Sequence, residues 1–543
     1  MTIIWVDWVN GLDTNAGTDP LLPKKTITSA TTGRTGGDEI RVAKSPDPTP
    51  LSGTVGFTIN STAITGVNTL FKTELVIGDF ILAPNGHYYE VITLTSDTAA
   101  ILYKAYPNET QSGFSSSKLG LTSTGASSGS TTVIQEVKST GATSNPLRIS
   151  GGWDLSTQTK TGNTIFVQYH ATFNNRYGYG LRLLNMSYVE ITDIGFLRYS
   201  YGFYVNSSNY CTIKRAIASS NLTGFNLSAA NFNNFEDIIA NANNSTSISL
   251  SNCYSCVFTN VTCFSNATYA INLSNSHNNK IINASVLYTT ANSLIYLSTS
   301  SNNYFDTIVS KKCTSGCFHL YNSHKNVVFG LVATYGYYGV YFQNSSENRF
   351  YELETNNNTY SFYLDNSGSN FVAKAVLAES TKFTVNTSVG LQFANPVVNV
   401  DNLAGYSYCV SYGVTLTSQN ASAGGTGREW KLAITDTARS VDYPFYFSIA
   451  KIAVGSSGKV TVKVFFKKSQ LAITGALRCR AGQVPWSDGS NDIVVQCPNN
   501  TNRNEVTLEF TPTASGVVEI EAGAWSLSTT QYLIIDDITV SQA

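Results

Sequence analysis

The sequence predicts an all-β chain: a parallel β-helix with a small β module inserted near its start and a β-sandwich at its end. Three observations predict it. A polar phrase recurs every 22 to 24 residues, short apolar pairs alternate with period two inside each copy, and Asn or Ser stands at the turn that follows. The recurrence is plainest in NSSENRFYELETNNNTYSFYLDNSGSNF, residues 344–371, where Asn-Ser-x-x-Asn returns after 22 positions.

Aligning the apolar pairs places Leu183, Val205, Leu227, Leu250, Leu273, Leu297, Leu320, Phe342 and Leu364 in one column. Ile191, Ile213, Phe235, Phe258, Ile281, Phe305, Val328, Phe350 and Val372 fall in a second. Each unit therefore holds at least two short strands and a tight turn. Units stacked about 4.8 Å apart bury every inward side chain against its equivalent one coil away, as in a parallel β-helix. Two residues before the second column stand Asn233, Asn279, Asn303, Asn326, Asn348 and Asn370. An Asn repeated at one turn position can pass amide hydrogen bonds along a stack, and it tolerates left-handed backbone. Cys211 and Cys256 occupy the same column and read as buried substitutes within that ladder.

Composition fits turn-rich β structure. Of 543 residues 42% are hydrophobic, only 13% are charged, and the formal net charge is −1. With no Lys/Arg cluster to neutralise phosphates, nucleic acid is not an expected partner. No run of about 18 apolar residues occurs, so membrane insertion is not expected either. MTIIWVDWVNGLDTNAG lacks a basic start and an apolar stretch of signal length, which predicts assembly in the cytoplasm of the producing cell. Nine cysteines, an odd number, imply no disulfide framework.

The phrase Tyr-small-apolar-x-apolar-x-Asn-Ser-x-x-Asn-x-apolar, over about residues 176–377, resembles the right-handed β-helix repeats of pectate-lyase-like proteins, the NosD-type repeat family and bacteriophage tailspikes and fibres. Val6-Asp7, Asn10-Gly11, Asp13 and Pro23 to Ile27 are similar to the opening segment of phage and bacterial β-helix proteins. That likeness implies a capping strand and helix ahead of the first coil strand at 37–42. Gly66, Thr69 and Phe71, followed by Ile77-Gly78-Asp79 and Ser96-Asp97-Thr98, are similar to small β modules of phage tail proteins. The expected organisation is a cap and first coil at 1–53, the inserted module at 54–118, the β-helix at 119–404 with Ser/Thr/Gly-rich loops at 119–145, and the sandwich at 405–543. Ile534 to Ile538 resembles the last strand of jelly-roll carbohydrate-binding modules, which implies a structural calcium ion at Asp536. Read from the residues alone, the same stretch is an exposed Asp pair at a strand end. No other cofactor is expected.

Strand geometry points the middle residue of each apolar-x-apolar triplet outward. That column ends in Tyr296, His319, Tyr341 and Tyr363, an aromatic stripe that could carry sugar rings, line a trimer contact, seat the sandwich or stabilise the stack. Glu352 and Glu354 flank Leu353 and form the best candidate pair for glycoside hydrolysis, which needs two carboxylates about 5 to 9.5 Å apart. Asp193 and Asp237 have Arg215 between them in register, the pattern of a charge-compensated ladder. Cys253, Cys256 and Cys263 lack the partners of a zinc site, and with two Met the NosD-like likeness carries no copper cluster.

These readings lead to a bacteriophage virion appendage: a tail spike, tail fibre or capsid-attached fibre, adhering to host-surface polysaccharide or serving structurally beside other virion proteins. The phage resemblance implies a homotrimer. The competing expectations are a glycan depolymerase and a bacterial surface β-helix protein.

Overall fold

A computed structural model describes residues 1–124, 133–168, 176–289, 292–367, 370–377, 383–386, 391–393, 407–408, 414–420, 428–434, 445–454, 459–468, 474–480, 492–511, 516–525 and 532–542. The chain forms two compact units, residues 1–296 and 297–543, taken in turn.

In the first unit, Ile3–Val6 pairs in parallel with Glu39–Ala43, Ile4 beside Ile40 and Val6 beside Val42. The five-residue helix Ile27–Thr31 starts at Thr26, whose hydroxyl accepts the Ser29 N–H at 3.0 Å. Its Ile27 N–H donates to the buried side-chain amide oxygen of Gln135, Oε1, at 2.7 Å. Gln135 lies on Val133–Val137, which pairs in parallel with Tyr177–Leu184. Part of the segment read as loop at 119–145 is thus a solenoid strand, tied to the helix by contacts more than a hundred residues apart.

The insert is an antiparallel sheet of eight strands that runs from Thr49–Pro50 to Ser117–Lys118. Its core of Val55, Phe57, Phe71, Tyr89, Leu102 and Tyr106 includes Phe264 of the solenoid, with Leu287 and Tyr288 packed against it. One buried ion cluster fixes this contact. Glu90 meets Arg176 Nη2 and Arg198 Nε at 3.0 Å each, all three side chains at most 2% exposed.

Both predicted columns stack in register. Leu183, Val205, Leu227, Leu250 and Leu273 are successive partners, as are Ile191, Ile213, Phe235, Phe258 and Ile281. Where aromatics fall in a column their rings stack: Phe203 on Phe225 at 4.7 Å and Phe235 on Phe258 at 4.4 Å, both within 4° of parallel. Each such pair adds about 0.5–1.5 kcal/mol beyond the area it buries.

A third inward column, Ala216, Ile238, Val261 and Ala284, lies three positions after the second, just past a left-handed corner residue. That corner is left-handed at Asp193, Arg215, Asp237, Asn260 and Asn283, with φ between +48° and +58°. Arg215 Nε donates to Asp193 Oδ1 at 2.6 Å, Asn260 to Asp237 at 2.8 Å, and Asn283 to Asn260 at 2.8 Å. The corner column is therefore a hydrogen-bonded, charge-compensated ladder on the outside of the coil.

The second unit repeats the scheme. Phe305, Val328, Phe350 and Val372 are successive partners, as are Leu320, Phe342 and Leu364. Its corner residues Thr307, Gly330 and Glu352 are again left-handed. From Val414 onward, backbone strands form two antiparallel sheets, one of five strands and one of four. Val460–Lys468 alternates buried and more exposed positions, as a strand covered on one face does.

Candidate functional site

The recurrent phrase is structural at nearly every position. In its last copies the first Asn is left-handed, with φ +50° at Asn344 and +47° at Asn366. The Ser that follows accepts the backbone N–H of its equivalent one coil earlier: Ser345 from Ser323 at 3.0 Å and Ser367 from Ser345 at 2.9 Å. Glu347, just before the closing Asn, is left-handed at +59°. The closing Asn is then buried in a ladder. Asn348 Oδ1 accepts both the N–H and the side-chain amide of Asn326 at 3.0 Å, and Asn348 donates to Ser323 O and Asn370 Oδ1 at the same distance. Asn303 bonds Asn326 Oδ1 in the same way. In the first unit, Asn233 and Asn279 accept from the N–H groups of Cys211 and Cys256 at 2.8 and 2.9 Å. Those two thiols are buried, and burial pushes them up to about 11 and about 12.

A second buried ladder escaped sequence reading. Asn221, Asn243 and Asn266 accept the N–H groups of Tyr199, Asn221 and Asn243 at 2.8 to 3.1 Å. Their spacing of 22 and 23 residues was its only signal.

Function is left to the lateral faces. Strands Tyr338–Gln343 and Tyr360–Asp365 pair in parallel, Tyr338 beside Tyr360 and Tyr341 beside Tyr363. Their outward side chains form a tyrosine cluster. Tyr338 contacts Tyr341 at 4.9 Å and Tyr363 at 4.8 Å, its ring tilted 40° and 47° to theirs, and Tyr341 meets Tyr363 edge-on at 5.0 Å. Tyr337, 43% exposed, adds an edge contact to Tyr360 at 5.4 Å. Rings set at such angles present edges, faces and hydroxyls together, unlike a parallel stack whose faces cover one another. Of the predicted stripe, the fold brings His319, Tyr341 and Tyr363 together. Tyr296, in the other unit, stacks on Tyr269 at 4.9 Å. The stripe expectation missed Tyr338 and Tyr360, which lie three residues before the column and join it only through pairing.

His319 lies flat on Tyr341 at 4.2 Å and 12°. Burial lowers its pKa from 6.5 to about 4, against a hydrogen bond to Gln343 that raises it. The ring is thus neutral in the fold while an unfolded chain protonates it near 6.5, so the stability it lends is complete above pH 6.5 and is lost as pH falls from 6.5 towards 4. The loss amounts to about 3 kcal/mol at most. His319→Phe keeps a ring on Tyr341 and should flatten the fall in unfolding temperature between about pH 7 and pH 4.5. Equal falls in variant and parent would refute the assignment.

The carboxylate pair needs a correction. Glu352 and Glu354 share the strand Arg349–Asn356, but it is not extended throughout: Glu352 occupies the left-handed corner at φ +56° while Glu354 lies past it, paired with Val332 and Val376. The separation expected along a strand does not apply to them. Asp536 lies on the backbone strand Tyr532–Gln542 opposite Phe465. Among the described residues no group of three or more His, Cys, Asp or Glu side chains could hold a metal ion.

Along another edge, Tyr188, Tyr210 and Phe232 form a parallel stack at 5.1 and 5.0 Å, with Tyr210 and Phe232 about half exposed. Tyr254 and His277 stack beside each other at 5.4 Å. No single residue type repeats along this ladder, whose members precede the Asn/Cys column, so the repeat alone does not mark it.

Coils of this kind, with buried polar ladders and an aromatic lateral face, define a parallel β-solenoid protein. The sequence profile described as "Periplasmic copper-binding protein (NosD)" matches residues 155–306 and 284–427, together just over half of the chain. The chain belongs to the NosD family. Among the described residues no cluster of three or more His, Cys, Asp or Glu side chains offers the ligand set of such a copper site. No curated protein matches the sequence. Among solved structures it is similar to pectate lyase Pel9A, at 10% identity and TM-score 0.43 over 71% of this chain and 78% of that one. An alginate lyase from Paenibacillus sp. str. FPU-7 matches at 10% identity and TM-score 0.34, over 67% and 95%. The A-module of an Azotobacter vinelandii mannuronan C-5 epimerase matches at 11% identity and TM-score 0.38, over 50% and 88%.

Proposed function

We propose that the chain is a glycan-binding surface appendage whose tyrosine cluster, Tyr338, Tyr341, Tyr360 and Tyr363, holds host-surface polysaccharide. The observation that carries this reading is the cluster itself: four tyrosines from two adjacent strands, all half-buried, beside an exposed Tyr337. Tyrosine combines an apolar ring for the C–H face of a sugar with a hydroxyl for its oxygens. The low charge and the phage-like opening segment favour a virion as the place of display. A homotrimer, attachment to other virion proteins and a calcium ion at Asp536 in a carbohydrate-binding jelly roll belong to the same proposal.

Tyr341→Ala and Tyr363→Ala should each weaken retention on host-surface polysaccharide about tenfold in affinity electrophoresis, as the loss of one aromatic contact implies. Asn226→Ala, on the same outward column but in the first unit, is the control. Retention unchanged in both variants would remove the cluster from the binding face. For cleavage, Glu352→Gln and Glu354→Gln decide. Release of oligosaccharide that either change abolishes would make the chain a depolymerase and overturn a purely adhesive role.

A further inference from the structure

We infer that Cys313 and Cys317 are a modification site at which a disulfide closes the turn between strands Tyr304–Lys311 and Gly316–Tyr321. Their sulfurs are 3.3 Å apart, both residues are buried, and both are free thiols. A Cβ on Gly336 would come within 2.7 Å of both Sγ atoms, and the Gly336 N–H donates to Asn358 Oδ1 at 2.7 Å, which holds that backbone against the pair. Lys312, immediately before Cys313, is left-handed at φ +65°, so the chain folds back and brings two cysteines four residues apart face to face.

The oxidant is a low-molecular-weight disulfide such as oxidised glutathione. Cys313, 8% exposed against 0% for Cys317, is the thiol such a molecule reaches. As a thiolate it attacks one sulfur of the oxidant, forming a mixed disulfide and releasing one thiol. Burial holds the Cys317 thiol well above its usual range, so it reacts only when its proton leaves as it attacks the adjacent Cys313 sulfur. That second step expels the other thiol. In sum two protein thiols are oxidised, one external disulfide is reduced to two thiols, and every proton and electron is accounted for. The closed turn leads through Gly336 to Tyr337 and Tyr338, so oxidation would stiffen the border of the tyrosine cluster.

The test uses the full chain incubated with oxidised glutathione, then denatured, alkylated at remaining thiols and cut with trypsin. Cleavage after Lys312 and Lys325 yields peptide 313–325, whose only cysteines are these two. The expected result is that peptide without alkyl groups and lighter by two hydrogen atoms, converted to the doubly alkylated form by prior reduction. In Cys317→Ser, the glutathione adduct on Cys313 should accumulate instead. Double alkylation at every oxidant concentration, or either cysteine linked to a third, would overturn the inference.

Discussion

Glu90→Ala should destabilise the first unit by about 3–5 kcal/mol, the cost of leaving buried charge without its partner. The carboxylate is fully buried between Arg176 and Arg198, and it stands on the insert while both guanidinium groups stand on the solenoid. Its removal leaves two cations in a site water barely reaches. Ser220 O accepts from Arg176 Nε and Arg176 O accepts from Ser200 Oγ, so Arg176 is anchored and does not swing out to be solvated. Denaturant unfolding should show the loss, and limited proteolysis should show the insert cut first. The exposed pair Lys214–Glu236, 3.0 Å apart with side chains 31% and 39% exposed, supplies the comparison. Glu236→Ala should cost less than about 1 kcal/mol. Equal costs for the two substitutions would mean that the buried cluster does not hold the insert.

Asn348→Ala should cost about 3 kcal/mol or more, whereas Asn344→Gly, four residues earlier in the same phrase, should be close to neutral. Asn348 is fully buried, and its truncation orphans the Asn326 N–H and takes a donor from Ser323 O, whereas the Asn326 amide keeps Ser300 O and Asn370 Oδ1 keeps the backbone N–H of residue 348. Each such orphan costs about 1–3 kcal/mol, less what water entering the gap restores. Asn344 has φ +50°, which glycine adopts freely, and its side chain makes only a solvent-exposed bond, accepting from Asn366 Nδ2 at 2.9 Å. Thermal unfolding of both variants distinguishes the roles. If the two substitutions cost the same, the ladder is not what selects the closing Asn.

Much of this was legible because a solenoid writes its geometry into the chain. Every coil meets its neighbours in the same way, so Leu320, Phe342 and Leu364 share one environment and hence one chemistry, and period and register follow. The same logic exposed the Asn ladder, since a buried amide that bonds its own equivalent must recur with the coil.

The third column stayed hidden because its boundary is one left-handed residue, and Asp193, Arg215, Asn283, Thr307, Gly330 and Glu352 all occupy it. A left-handed non-glycine residue costs about 1–2 kcal/mol, which pairing on both sides can offset without a fixed residue type. Gly330 apart, no Gly or Pro punctuation marks these corners. This is also why the expected strand geometry of Glu352 and Glu354 failed.

The sequence by itself determined the all-β class, the coil period, the inward columns and the residues that ladder through the turns. Tertiary structure alone decided what happens once: the Glu90–Arg176–Arg198 lock, the Gln135 contact to the helix, the meeting of Cys313 with Cys317, and the junction of Tyr338 and Tyr360 with Tyr341 and Tyr363. Periodic contacts repeat their residues and can be read along the chain. A contact made once joins distant positions, and no repetition announces it.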